Sequence, residues 1–147
     1  MAIAERTAEA TWEGNLTQGK GTFTTGSGAL GTQAVTWASR TEDPNGRTSP
    51  EELIAAAQAA CYAMAFSNTL NSAGTPPERL VVTATCALDR VDGKPKITTM
   101  RLDVHGKVPG LDQAGFESAA RTAEQGCPVA NALRDNVQIT VNATLDQ

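Results

Sequence analysis

The sequence predicts an α+β fold built mainly from antiparallel sheet. Several segments alternate apolar and polar residues with a period of two, and turn dipeptides such as Gly-Asn and Asp-Gly separate them. Two longer segments carry apolar residues at helical spacing instead. The elements follow the order three strands, helix, two strands, helix, strand, in which hairpins dominate. At 147 residues the chain has the length of one domain, spanning 1–147.

The first forty residues are expected to form strands separated by glycine-rich turns. Alternation from Ala8 to Trp12 indicates the first strand, and Gly14-Asn15 is a suitable hairpin turn. Two further strands are predicted at about Gly21–Thr25 and Thr32–Ala38. The next segment, rich in Asp, Pro, Asn and Gly, is predicted to be a loop up to residue 48.

A long helix follows, and its start is clearly marked. Ser49 is a good N-cap, Pro50 suits the first helical position, and Glu52 completes a capping box. The alanine-rich run favours helix to about Asn71, before the helix-ending Gly74.

Alanine covers nearly every face of this helix, which is typical of a helix buried on all sides. A domain of this size rarely buries such a helix alone, so we infer a homodimer. The apolar run from Ile54 to Phe66 is shorter than the ~20 apolar residues of a membrane span, and Gln58 interrupts it.

The second half of the chain repeats the same kinds of signal. Asp92-Gly93 marks a turn between two strands, and Asp112 caps a helix that Gly126 ends. The predicted elements are strands at Leu80–Asp89 and Lys96–Val108, a helix from Asp112, a short helix from Pro128 to about Leu133, and a closing strand from Val137 to Leu145.

The composition excludes several classes of function. The chain has 12 Lys and Arg against 16 Asp and Glu, without a basic cluster, so neither nucleic acid nor an anionic membrane is an expected partner. The N-terminus lacks the basic and apolar regions of a signal peptide, so we expect a cytoplasmic protein.

Three cysteines are the residues with distinctive chemistry. Cys61, Cys86 and Cys127 form no CxxC pair, and the single histidine, His105, gives little support to a zinc site. Cys86 alternates with apolar residues in a strand, so we assign it to the core. Cys61 in the buried helix and Cys127 before the short helix each suit either an inert or a reactive thiol.

Two motifs resemble one known family. The run Thr48–Cys61, TSPEELIAAAQAAC, resembles the signature of the OsmC/Ohr family of thiol peroxidases, and Ala123–Val129, AEQGCPV, resembles the family's second motif. The opening Ala10–Gly14 is similar to the OsmC branch. Position 58 departs from that branch, because Gln58 stands where histidine is frequent.

The resemblance implies sheets packed around two central helices in an intertwined homodimer, with active sites at the subunit interface. Cys61 would be the peroxidatic cysteine and Cys127 the resolving one, joined in an intramolecular disulfide during turnover. Glu51 matches the family's glutamate, which would hold an activating arginine. Arg40 matches that arginine in the OsmC pattern, and Arg47 is the alternative.

The implied activity is reduction of organic hydroperoxides, and of hydrogen peroxide as a further candidate, with regeneration by an external dithiol. The resemblance suggests a lipoyl-type dithiol, and no metal, haem or flavin is needed. Two alternatives stay open: a dithiol-disulfide oxidoreductase that does not act on peroxide, and a stress-associated dimeric binding protein with inert cysteines.

Helix geometry adds one expectation about the site. Glu51 and Cys61 are ten positions apart, so their backbones are ~15 Å apart along one helix. A glutamate side chain cannot span that rise. Either a bent loop carries Arg40 between them, or the partner subunit supplies Glu51, which the all-round apolar helix favours.

Overall fold

The computed structural model describes residues 1–147, which form two compact units, Met1–Leu53 and Ile54–Gln147. The fold is α+β, as the sequence predicts. The first unit holds β1 (Ala8–Glu13), β2 (Lys20–Thr25), β3 (Gln33–Val35), α1 (Trp37–Thr41) and the start of α2 (Pro50–Ser72). The second holds the rest of α2, β4 (Arg79–Val91), β5 (Lys94–Lys107), α3 (Gln113–Gly126), α4 (Pro128–Leu133) and β6 (Gln138–Leu145).

The first unit contains a three-stranded antiparallel sheet in the order β1-β2-β3. Trp12 in β1 lies opposite Gly21 in β2. A Cβ atom on Gly21 would lie 2.6 Å from the Trp12 ring, so only glycine allows the indole to cover this part of the sheet. The two strands are joined by a loop longer than the predicted Gly14-Asn15 turn, because β1 ends at Glu13 and β2 begins at Lys20.

The third strand is shorter than predicted, and a short helix replaces its second half. The strand ends at Val35, and Trp37 begins α1. Thr36 caps this helix: its hydroxyl accepts from the Ser39 N–H, and the Ser39 hydroxyl accepts from the Thr36 N–H, each at 3.0 Å. This reciprocal capping satisfies two backbone donors and outweighs the strand preference of the alternating residues.

The start of α2 follows the predicted cap in part. The Ser49 hydroxyl accepts from the Glu52 N–H at 3.2 Å, as an N-cap should. The Glu52 carboxylate, however, accepts from the Thr48 hydroxyl at 2.7 Å and does not close the capping box with Ser49. The expected capping box is therefore only half formed, because Thr48 offers Glu52 a closer donor.

The second unit contains a mixed sheet in the order β4-β5-β6. Strands β4 and β5 form a long antiparallel hairpin, and its turn residues Asp92 and Gly93 both have positive φ, at 50° and 76°. Strand β6 pairs parallel to β5 after the crossover through α3 and α4. The sheets are mainly antiparallel as predicted, and this crossover adds one parallel pair.

The core of the second unit lies between the sheet and the helices. Tyr62 and Phe66 of α2 and Phe116 of α3 are fully buried, with ring centroids 5.6 and 4.9 Å apart along the stack. The sheet contributes Met100, Leu102 and Val104. This packing fixes α2 and α3 side by side in the region that carries both candidate cysteines.

Helix α2 buries one side in the second unit and exposes another. Its 23 residues extend beyond the apolar run from Ile54 to Phe66, and most of that length carries no charged side chain. By length and composition alone the helix therefore meets the test for a membrane span, contrary to our expectation. The core helix of a soluble protein passes the same test, so one such helix is weak evidence. Its exposed apolar residues are Ala56, Ala57, Ala60 and Met64.

Candidate active site

The two predicted reactive cysteines meet in the second unit. The Sγ atoms of Cys61 and Cys127 lie 3.2 Å apart, within hydrogen-bond distance of each other. The separation exceeds the ~2.05 Å of a disulfide bond, so both residues are thiols. A movement of about 1 Å would bring the sulfurs to bonding distance.

Cys127 is held by the junction of two helices. It is the C-cap of α3 and the N-cap of α4 at once, with extended backbone angles, and Pro128 begins α4. Its N–H donates to the Glu124 carbonyl at 3.3 Å, and its carbonyl accepts from the Asn131 N–H at 2.9 Å. The Cys127 side chain is not used in capping, so its sulfur is available to Cys61.

An ion pair fastens the same junction. The Arg134 guanidinium at the end of α4 contacts the Glu124 carboxylate and donates to the Glu124 carbonyl at 3.1 Å. The Glu124 side chain is only 12% exposed, which shields the pair from water. We infer that this contact fixes the orientation of α4 and, with it, the position of Cys127.

Gln58 completes the surroundings of the sulfurs. It precedes Cys61 by three positions, which places both side chains on one face of α2. Its amide Nε2 donates to the Cys127 Sγ at 3.4 Å, and the side chain is fully buried. Tyr62 lies on the same helix, and its hydroxyl donates to the Ala120 carbonyl at 2.8 Å, which joins α2 to α3.

The electrostatics of the second unit favour a protonated Cys61. Burial raises the pKa of the Cys61 thiol, and the neighbouring Cys127 sulfur raises it further, through a hydrogen bond to the protonated thiol and through repulsion between two thiolates. A hydrogen bond from the Val129 backbone N–H lowers the pKa and is the one opposing influence in this unit. A cation placed near Cys61 would lower this pKa.

The two sulfurs differ in their access to solvent. Cys61 is half-buried, whereas Cys127 is completely buried. A small oxidant in solution therefore reaches Cys61 first.

In the first unit, the structure brings Arg40 and Glu51 together. Arg40 Nε lies 3.1 and 3.2 Å from the two Glu51 oxygens, and Nη2 lies 2.8 Å from Oε1. Glu51 is 6% exposed, and Arg40 also lies over the Trp37 ring with its Cζ 5.9 Å from the centroid. The Ser39 hydroxyl donates to the Thr48 carbonyl at 3.2 Å and so links α1 to the segment before α2. This arrangement holds the guanidinium plane in one orientation.

Arg47, the alternative arginine, has different surroundings. It is exposed, and it lines a cavity of about 340 Å³ in the first unit together with Lys20, Glu13 and Thr36. Its side chain makes no ion pair. The structure therefore gives Arg40 a fixed orientation that Arg47 lacks.

The third cysteine lies in the sheet of the second unit. Cys86 is half-buried in β4, opposite Met100, and packs against the core. The structure contains no cluster of three or more residues of the kinds that hold a metal ion.

Two contacts at the site were not anticipated from the sequence. In the sequence, Gln58 stands out because it replaces a frequent histidine. Its three-residue spacing from Cys61 also predicts that the two side chains share one face of the helix. Arg134 gave no signal, since its contact with Glu124 depends on the angle between α3 and α4.

Two thiols lie close together between packed helices, an arrangement that suits a redox-active cysteine pair. Comparison with known proteins shows the family of the chain. The family model described as OsmC-like protein matches residues 43–142. Peroxiredoxin OsmC of Escherichia coli (strain K12) is 41% identical over 131 residues, covering 89% of this chain and 91% of that protein. The chain therefore belongs to the OsmC family.

More distant relatives agree with this assignment. An organic hydroperoxide resistance protein of Xanthomonas axonopodis pv. citri (strain 306) is 29% identical over 99 residues, covering 64% of this chain and 65% of that protein. The crystal structure of an organic hydroperoxide resistance protein OsmC from Legionella pneumophila matches with a TM-score of 0.74 at 26% identity, over 98% of this chain and 99% of that one. An organic hydroperoxide resistance protein from Elizabethkingia anophelis shares the fold, with a TM-score of 0.76 at 23% identity over 99% and 100% of the two chains.

Proposed function

We propose that this chain is a thiol peroxidase that reduces organic hydroperoxides, with Cys61 as the peroxidatic and Cys127 as the resolving cysteine. The observation that carries the proposal is the 3.2 Å separation of the two thiol sulfurs. A pair at this distance passes readily between dithiol and disulfide. Relatives named peroxiredoxin and organic hydroperoxide resistance protein support peroxide as the oxidant.

The difference in exposure supports the assignment of roles. Cys61 is half-buried and Cys127 is fully buried, so peroxide meets Cys61 first. The Cys127 sulfur lies 3.2 Å from the Cys61 sulfur, so the resolving attack requires only a short approach.

The reaction balances without a metal or an organic cofactor. The Cys61 thiolate attacks one peroxide oxygen, the O–O bond breaks, and the departing alkoxide takes a proton and leaves as an alcohol. Cys61 becomes a sulfenic acid. The Cys127 sulfur then attacks the Cys61 sulfur, the S–O bond breaks, and the Cys127 proton leaves with the hydroxyl group as water. An external dithiol reduces the disulfide and is itself oxidised.

Arg40 is the proposed activating cation, and Glu51 the residue that orients it. A guanidinium near Cys61 would lower the thiol pKa, against the effect of burial, and would donate to the departing oxygen as charge builds on it. The two-point contact with Glu51 supports this role, because it presents the guanidinium in a fixed plane.

We further propose a homodimer with a composite site. The exposed apolar face of α2 supports a second subunit, since Met64 is 68% exposed beside three exposed alanines. The ten-residue spacing between Glu51 and Cys61 favours delivery of the arginine and glutamate by the partner.

A dithiol of the lipoyl type is the proposed reductant, and the cytoplasm the proposed location of a soluble protein. Peroxide reduction would place the protein in the response to oxidative stress, and the resemblance to the OsmC branch extends this to osmotic stress. A reducing compartment keeps both cysteines as thiols between turnovers, as the site requires.

Peroxide consumption with a panel of dithiols tests the function. Cumene hydroperoxide, tert-butyl hydroperoxide and hydrogen peroxide are each offered with dihydrolipoate, dithiothreitol or reduced glutathione. We expect turnover with the organic peroxides, fastest with dihydrolipoate, no turnover in Cys61→Ser, and full turnover in the matched control Cys86→Ser. Faster reduction of a protein disulfide such as insulin than of any peroxide would favour the dithiol-disulfide oxidoreductase. If Cys61 reacts with neither substrate, the stress-associated binding protein with inert cysteines is the hypothesis that remains.

A further inference from the structure

Gln58 is a buried polar side chain that makes one of the four hydrogen bonds an amide can make. The residue is 0% exposed, and its Oε1 has no hydrogen-bond partner. Its Nε2 has one contact, the Cys127 Sγ at 3.4 Å. Burial of an unpartnered amide oxygen destabilises a fold, so an apolar side chain of similar length would pack at lower cost. We infer that the side chain is kept for its N–H donor.

The amide and the two sulfurs form one line of contacts. The Gln58 Nε2 lies 3.4 Å from the Cys127 Sγ, and that sulfur lies 3.2 Å from the Cys61 Sγ. An amide N–H can only donate, so it stabilises the Cys127 sulfur most when that sulfur carries negative charge. The contacts run from the Gln58 amide through Cys127 to Cys61.

We propose that Gln58 is a positioning residue for the resolving cysteine, an inference that rests on the proposed peroxidase function. Its N–H orients the Cys127 sulfur and stabilises the negative charge that appears there as the thiol proton departs. In that step the S–S bond forms, the S–O bond of the Cys61 sulfenic acid breaks, and the Cys127 proton leaves in water. Gln58 therefore acts on disulfide formation and not on the attack of Cys61 on peroxide.

Rapid-mixing experiments on full-length protein separate the two steps. One equivalent of cumene hydroperoxide is added to the reduced protein, and samples are quenched with dimedone to trap sulfenic acid on Cys61 or with an alkylating agent to count remaining thiols. Gln58→Met keeps the length and removes the donor. We expect sulfenic acid to form within about twofold of the wild-type rate, and the disulfide to form about ten- to a hundredfold more slowly, as for a lost bond to a charged group.

Two further variants separate positioning from packing. Gln58→His restores a ring N–H, and we expect it to recover most of the rate of disulfide formation. Tyr62→Phe removes a different buried hydrogen bond from the same helix and should leave both rates within about twofold of wild type. An unchanged rate of disulfide formation in Gln58→Met, or equal slowing of both steps, overturns the proposal.

A measurement without peroxide distinguishes failure of this inference from failure of the proposed function. The Cys61–Cys127 disulfide is formed with diamide and equilibrated against oxidised and reduced dithiothreitol. Loss of the Gln58 donor removes a contact to the reduced state, so Gln58→Met should shift the equilibrium toward disulfide by about two- to tenfold. No shift contradicts the positioning role whether or not peroxide is a substrate. Absence of sulfenic acid in the wild type contradicts the peroxidase alone.

Discussion

The Glu51 carboxylate holds the Arg40 guanidinium through two nitrogens, with Nε and Nη2 at 3.1 and 2.8 Å from Oε1. The pair is partly shielded, since the Glu51 side chain is 8% exposed and that of Arg40 is 32% exposed. Such a contact fixes the plane of the guanidinium as well as the position of its charge.

Arg40→Ala should slow the attack on peroxide severely, on the order of 10²-fold, because it removes both the cation and the donor to the departing oxygen. Arg40→Lys should recover little of the loss, since lysine retains the charge without the planar fork. Stopped-flow measurement of sulfenic acid formation checks both. The matched control is Arg47→Ala, expected within about twofold of wild type because this side chain is solvated. Equal, mild effects of the two alanine variants would refute the choice of Arg40.

Cys127→Ser should trap the reaction after its first step. Serine cannot form a disulfide, so one equivalent of peroxide should leave a sulfenic acid on Cys61 and no efficient second turnover. Mass spectrometry after dimedone trapping measures the product. In the wild type, the same amount of peroxide should consume the two thiols of Cys61 and Cys127 and leave Cys86 unmodified. A bridge that contains Cys86 contradicts this prediction.

Local sequence signals identified most of the elements, because caps and turns depend on a few neighbouring residues. Asp112 caps α3 through a 2.8 Å bond from the Gly115 N–H, and Asp92-Gly93 forms the hairpin turn. Helix α1 was missed because its capping pair is Thr36 with Ser39, which lacks the glutamate or glutamine of the usual capping box. The parallel pairing of β6 was also missed, since alternation identifies a strand but not its direction.

Local sequence patterns could not predict the contact between the two sulfurs. Cys61 and Cys127 are 66 residues apart in the chain, and their contact depends on the packing of α2 against α3. The small residues around both cysteines allowed a close approach, and the resemblance of the two motifs to a known family paired them in advance. The hydrogen bond from Gln58 to Cys127 depends on the same packing, so it too required the structure.

Gly106→Ala should destabilise the second unit by about 1–3 kcal/mol, as overpacking does. A Cβ at Gly106 would lie 2.5 Å from the ring of Phe116, which is fully buried and cannot move aside easily. Urea unfolding followed by circular dichroism gives the change in free energy. The control is Gly126→Ala in α3, where an added Cβ meets nothing within 4 Å and stability should stay equal or rise slightly. Equal stability of both variants would contradict the tight packing at Gly106.

The raised pKa of Cys61 predicts how stability depends on pH. Burial keeps this thiol protonated in the folded state. Its contribution to the free energy of unfolding is therefore present below its ordinary pKa of 9.0 and is lost as pH rises beyond that value. The pKa of Tyr62 is also raised by burial, so both groups weaken the fold at alkaline pH. Urea unfolding of the reduced protein at pH 7, 9 and 10 should therefore show a steeper decline in wild type than in Cys61→Ser. Parallel declines would show that Cys61 ionises as easily folded as unfolded.

Hybrid dimers test whether the site is shared between subunits. Glu51 and Cys61 are separated by ten positions on α2, or ~15 Å along the helix axis, which one glutamate side chain cannot bridge. The exposed apolar face of the same helix favours a partner that covers it and supplies the Arg40–Glu51 pair. Glu51→Ala subunits mixed with Cys61→Ser subunits should then form hybrids in which one site unites wild-type Cys61 with wild-type Glu51. Peroxide consumption by the mixture should exceed that of either parent, and each hybrid dimer should approach half of the wild-type rate.

Each parent refolded alone is the control, and differently tagged subunits show by native mass spectrometry that hybrids have formed. Hybrids without recovered activity place the whole site within one chain, because each hybrid chain would then still lack one of the two residues.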